Sequence, residues 1–116
     1  MAVLITALSL QANAADNWSN WDIARESIYL VLQDVDRRQT ITASKEPWRF
    51  TEINPILGEH PSKKRINTYF ITTALLHVGV THLLPKEWRP AFQYFWIGVE
   101  VGAIANNHKI GIRISF

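Results

Sequence analysis

Cysteine is absent from this chain of 116 residues. Its absence excludes disulfide staples, thiolate metal sites, a cysteine nucleophile and an anchor built on a lipid-modified cysteine. A charge of one sign is missing as well. Twelve Lys and Arg face ten Asp and Glu, a net +2 with the histidines neutral. Nothing here resembles the clustered basic surface that a nucleic acid requires. There is no internal repeat and no low-complexity tract. The sequence has no G-x-S-x-G elbow, no P-loop, no G-x-G-x-x-G and no H-E-x-x-H, so the common signatures of acyl transfer, nucleotide binding and zinc proteolysis are missing.

Apolar and aromatic residues are plentiful: 47% and 11% of the chain, with five Trp. That is too apolar for disorder and is enough for one packed domain. Residues 1–14 read as a signal segment. The run AVLITALSL is followed by Ala12-Asn13-Ala14, a small-x-small site of the kind export peptidases cleave. The run is far shorter than the roughly 20 residues needed to span a bilayer. The usual positive n-region is missing, and the plainer reading is an ordinary N-terminal helix. Residues 15–116 then form a single helical domain.

Three helices are predicted, over residues 23–42, over residues 66–84 and from near Lys86 to Ala105. Asp22 is the expected N-cap of the first, and Pro47 stops the chain after it. Ser62 is the expected N-cap of the second. INTYFITTALLHVGVTHLL, residues 66–84, contains no Asp, Glu, Lys or Arg and would reach about 28 Å, close to a bilayer core. Pro85 ends it and turns the chain into an antiparallel hairpin with the third helix, where Pro90 sits in the first turn. AFQYFWIGVEVGAIA, residues 91–105, is apolar apart from Gln93 and Glu100. Trp88 and a snorkelling Arg89 suit an interface. The tail KIGIRISF alternates like an extended strand.

A soluble bundle is the competing reading, because the first helix has only a short uncharged stretch. Charge placement favours a membrane. With the N-terminus outside, Arg37, Arg38, Lys45, Arg49, Lys63, Lys64, Arg65, Lys109 and Arg113 fall inside, and Arg25, Lys86 and Arg89 fall outside, as the positive-inside rule expects. The expected fold is an all-α three-helix membrane bundle with a short extended C-terminal tail, located in the bacterial inner membrane or, alternatively, in the periplasm.

Glu100 is the most informative residue. A carboxylate at mid-membrane costs about 2.5–3.5 kcal/mol on insertion scales, so it should face other helices and find a partner. Gln93, Glu100 and Asn107 recur every seven residues as one polar stripe. The antiparallel register sets Glu100 near Thr72 and Thr73, and His77 near Gln93 and Tyr94. These contacts either hold the helices together or form a site. Gly98 and Gly102 form a small-xxx-small pair that would seat another helix or a second copy. His77 and His82, five apart, point away from each other on a helix, and no metal site or cofactor is expected. His60 and His108 both fall near the inner face, within reach of Glu52 or Asp36.

Asp36-x-x-Gln39-Thr40 is followed by Glu52-x-Asn54-Pro55. In this pattern, across residues 28–84, the chain resembles a group of small prokaryotic membrane proteins. In them an Asp and a Thr near the end of one helix precede an E-x-N-P turn, and apolar helices follow. The resemblance implies a helical membrane protein and no substrate. Folding the loop back would gather Asp36, Gln39, Thr40, Glu52 and Asn54 at the inner boundary, with Asp36 paired to Lys64 or Arg65. Capping of free helix N–H groups is the plainer account of Asn54 and Glu52. The expected role is an accessory or interaction subunit that meets lipid and a membrane-protein partner or its own copy. Proton or cation handling by Asp36, Glu52 and Glu100 is one alternative. A soluble periplasmic helical binding protein is the other.

Overall fold

The computed structural model describes residues 15–52 and 54–112; the predicted signal segment and residues 113–116 of the tail lie outside them. Three helices follow in order: α1 (Asn20–Ser44), α2 (Lys63–Leu83) and α3 (Arg89–Lys109). There is no strand among the described residues.

Local chemistry explains each boundary. Ser19, rather than Asp22, is the N-cap of α1. Its Oγ accepts from Asp22 N at 3.0 Å, and Asp22 Oδ2 accepts from Ser19 N at 3.0 Å. This reciprocal capping box satisfies two free donors at once. Helix α1 ends before Pro47, with Lys45 as its C-cap. Ser62 caps α2 as expected, its Oγ accepting from Arg65 N at 3.1 Å. Leu84, the residue before Pro85, is extended at φ −71° and ψ 144°, as the proline ring demands. Pro90 lies in the first turn of α3. Helix α3 runs on through Lys109, and Gly111 takes φ +102°. Residues 109–112 therefore close a helix and do not begin an extended tail.

The loop between α1 and α2 is organised by Asn54. Its carbonyl accepts from Leu57 N and Gly58 N, and its side-chain Oδ1 accepts from Ile56 N at 2.9 Å. Its Nδ2 donates to the Tyr69 hydroxyl at 2.9 Å. Gly58 supplies the positive φ of +83°, which a side chain would resist. The turn delivers Leu57 into a small apolar cluster with Ile66 and Phe70.

Helices α1 and α3 run parallel. Asp22 meets Arg89 at one end, and Gln39 meets Asn107 at the other. Helix α2 runs the opposite way, with Thr81 beside Glu26 and Asn67 beside Arg37. The predicted α2–α3 hairpin keeps its directions, but both legs pack mainly on α1 and meet each other over a smaller contact near their shared turn.

The interior is mostly polar. Asp22, Arg25, Glu26, Gln33, Gln39, Thr40, His77, Thr81, Arg89, Gln93 and Glu100 are buried, whereas Trp21, Ile28, Val31, Ile71, Leu75, Leu76, Tyr94, Phe95 and Val101 are exposed. No helix among the described residues is long and apolar enough to cross a membrane. Hydropathy therefore does not support the expectation that residues 66–84 and 88–105 are each a spanning rod. His77 and several threonines weaken α2, and Arg89, Gln93, Glu100 and two asparagines weaken α3.

Candidate functional site

Two polar clusters occupy the seam where α2 and α3 meet α1. The first is centred on Arg89, whose side chain is fully buried at 0% exposure. Its Nε donates to Thr81 O. Its Nη1 donates to Asn17 O and Asp22 Oδ2, and its Nη2 donates to Asp16 O and His82 O, all at 2.7–3.2 Å. All five guanidinium N–H groups are engaged. Two of the acceptors are carbonyls of the last turn of α2, where a cation is also favoured by the helix dipole. The knot ties the segment before α1, the start of α1 and the α2–α3 turn together.

One helical turn along, Gln93 joins the same network. Its Oε1 accepts from Arg25 Nε at 2.7 Å, and its Nε2 donates to Asp22 O and Glu26 Oε1, both at 3.0 Å. Arg25 also pairs with Asp22. Glu26 Oε2 lies 2.6 Å from His77 Nδ1, and Thr81 Oγ1 lies 3.3 Å from Glu26 Oε1. A carboxylate only accepts, so Nδ1 carries a proton in this contact, and Nε2 lies on the far edge of the imidazole. The ring is sandwiched between Tyr29 and Phe92, with centroids at 3.6 and 4.8 Å.

The second cluster lies near the other end of α1. Asp36 Oδ1 accepts from Asn107 Nδ2 at 3.3 Å and from Thr40 Oγ1 at 3.4 Å. Asn107 Nδ2 also reaches Gln39 Oε1 at 3.1 Å, and Gln39 Nε2 donates to Ile104 O. Asp36 and Glu100 lie side by side, close enough for each carboxyl to act on the other. Between the clusters, Gln33 Nε2 donates to Thr73 Oγ1 at 2.6 Å.

The structure brings together Asp36, Gln39, Thr40, Glu100 and Asn107. It joins His77 to Gln93 only through Glu26, and it pairs Thr73 with Gln33 instead of Glu100. The expected pairing of Asp36 with Lys64 or Arg65 does not occur; Arg65 instead donates to Ile56 O. Glu52 and Asn54 stay in the loop, Glu52 Oε1 accepting from Asn54 N. Glu52 does share a pocket of about 80 Å³ with Thr40, His60 and Asn107. His108 is exposed. Gly98 and Gly102 seat no helix of this bundle: apart from α3's own backbone, no atom lies within 4 Å of where a Cβ would stand. No group of three or more His, Asp or Glu among the described residues is arranged to hold a metal ion.

Asp22, Arg25, Glu26 and Arg89 were missed as site residues. A signal for them was present: Asp22, Glu26, Tyr29, Gln33, Asp36 and Thr40 repeat at alternating spacings of four and three, the pattern of one helix face turned to a partner. Arg89 lies four residues before the stripe of Gln93, Glu100 and Asn107 and continues it.

A cleft of about 390 Å³ opens where α2 and α3 part, lined by residues that include Tyr29, Thr73, His77, Phe92, Trp96 and Glu100. His77 Nε2 and Glu100 Oε2 are buried without a hydrogen-bond partner among the described residues. The fold and site define a three-helix all-α bundle with a polar, hydrogen-bonded interior. No family model, curated protein or solved structure matches the chain.

Proposed function

We propose that this chain is a small membrane-embedded helical protein, an accessory or interaction subunit whose polar seam holds its three helices in register. The observation behind this reading is the inverted distribution of polarity. Leu75 is 69% exposed and Phe95 63%, while Arg89 and Gln93 are at 0%. In water that arrangement exposes what should be buried; in lipid it is the stable one. The polar side chains that lower the hydropathy of each helix face one another, and the surrounding medium meets only the outer surface. Trp18, Trp21 and Trp88 stand at one end of the bundle and Trp48 beyond the other, as interfacial tryptophans do. The open ridge at Gly98 and Gly102 suits close approach of a partner helix.

Washing membranes with alkaline carbonate tests the reading. The protein is expected to stay in the pellet and to leave it only with detergent. Release into the carbonate supernatant would overturn membrane embedding and favour a soluble binding protein.

The adjacent carboxyls of Asp36 and Glu100 favour a second reading, proton handling by that pair. Glu52, held in the loop, has no part in it. Proteoliposomes under an imposed pH gradient, followed with an entrapped indicator dye, should then show a flux that Glu100→Gln abolishes. Absence of flux in the unaltered protein sinks this reading.

A further inference from the structure

We propose that the groove between the turn at residues 54–58 and the start of α2 seats an anionic phospholipid, with its phosphate at Ser62, Lys64 and Arg65 and one acyl chain laid along α2 towards Leu76. Two hydrogen bonds build the groove. Arg65 Nη2 donates to Ile56 O at 2.8 Å, and Asn54 Nδ2 donates to the Tyr69 hydroxyl at 2.9 Å. They hold the turn against α2 and leave about 680 Å³ beside it, lined by Ser62, Lys64 and Arg65 at one end and by Tyr69, Thr72 and Leu76 further along.

Charge selects the headgroup. Lys63, Lys64 and Arg65 open α2, all three are exposed, and the first turn holds no acidic residue. Cations are disfavoured at that end of a helix, where the dipole is positive. A bound anion offsets the repulsion. The lysine ammonium and the arginine guanidinium both make charge-assisted hydrogen bonds to phosphate oxygens. No Asp or Glu lines the groove, so nothing there receives the ammonium of a zwitterionic headgroup.

Length selects a lipid over a free phosphate. Lys64 and Leu76 are separated by about 18 Å of helix rise, comparable to one leaflet's share of the hydrocarbon core, about 15 Å. Ile56 is 66% exposed and Leu76 61%; an acyl chain in the groove would cover both. The groove runs on into the cleft between α2 and α3, with which it shares Ile56, Tyr69, Thr73 and Leu76. The cations stand at the end of the bundle and the apolar lining lies deeper, the order of headgroup and chain in a bilayer. The proposal rests on the membrane reading above.

Native mass spectrometry of the full chain in detergent provides the test, with dioleoylphosphatidylglycerol and dioleoylphosphatidylcholine offered at equal concentration. The phosphatidylglycerol should be retained about tenfold or more over the phosphatidylcholine, the worth of two cations beside an anionic lipid. The preference should shrink as salt rises. Lys64→Glu should lose about tenfold of it, whereas Lys86→Glu, at an exposed cation beyond the other end of α2, should keep it. Thr72→Trp fills the groove from an exposed position and should abolish retention, and excess glycerol 3-phosphate should fail to displace the lipid. Equal retention of the two lipids, an unchanged preference in Lys64→Glu, undiminished retention by Thr72→Trp, displacement by glycerol 3-phosphate, or a dimer that excludes lipid would each overturn the proposal. Where carbonate leaves the protein in the pellet, any of these results removes the lipid seat alone; carbonate release removes the membrane reading and the lipid seat with it.

Discussion

At the residue scale, Arg89 is the side chain with most depending on it. Its five donors serve acceptors from three parts of the chain. Arg89→Met would leave Asp22 buried beside Arg25 alone and four backbone carbonyls without their donor. Loss of one partner from a buried charge pair costs about 3–5 kcal/mol. A fall of that size should appear in thermal or denaturant unfolding in detergent, and Arg89→Lys should restore little of it, because an ammonium cannot reproduce the planar fork. An Arg89→Met protein as stable as the parent would show that the knot contributes nothing. The sequence disclosed Gln93, Glu100 and Asn107 as a stripe because they recur every seven residues along a largely apolar run. It concealed Arg89 and Arg25 because an arginine at the end of a helix reads as a surface cation. Only the fold shows that the segment before α1 closes over Arg89 and shuts out solvent.

At the scale of elements, the three helices were legible from proline, serine caps and apolar runs, with boundaries off by a few residues. Asp22 was misplaced as a cap because Ser19 offers the same chemistry three residues earlier, and a capping box needs both. The start of the tail was misread because the alternation of Ile110 and Ile112 with their neighbours imitates a strand, whereas α3 has the backbone partners to continue through Lys109; the rest of the tail lies outside the described residues. The turn from Glu52 to Gly58 was recognised, but its attachment was not: Asn54 anchors it to α2 through Tyr69, away from Asp36. Asn54→Ala removes the side-chain bonds to Ile56 N and Tyr69 and should destabilise the protein by about 1–3 kcal/mol. Tyr69→Phe should reproduce only the smaller part. Unfolding midpoints of the two variants and their combination give the comparison, and an unchanged midpoint in Asn54→Ala would contradict this account of the loop.

At the scale of the whole molecule, the inward turn of polarity predicts opposite sensitivities on the two surfaces. A charge placed on the exposed face, as in Leu75→Arg, breaks no internal contact. It should nonetheless cost about 2.5–3.5 kcal/mol of insertion if that face meets lipid, seen as loss of the protein from the membrane fraction. In a water-exposed bundle the same change would be neutral or would improve solubility, so fractionation of this single variant separates the two environments. This surface could not be read from hydropathy along the chain. An average over each helix mixes the residues that face the seam with those that face outward, and only the packing of α2 and α3 against α1 sorts them.

The dependence of both outer helices on α1 also sets a timetable for synthesis. The chain emerges from its N-terminus, so Asp22, Glu26 and Asp36 are made long before His77, Arg89, Gln93 and Asn107 arrive to receive them. Until the last helix is complete, the ribosome holds a half-built molecule whose carboxylates need water or a chaperone. A chain stopped before residue 89 would keep His77 for Glu26 but would leave Asp22 without Arg89 and Asp36 without Asn107, and quality-control proteolysis is its expected fate.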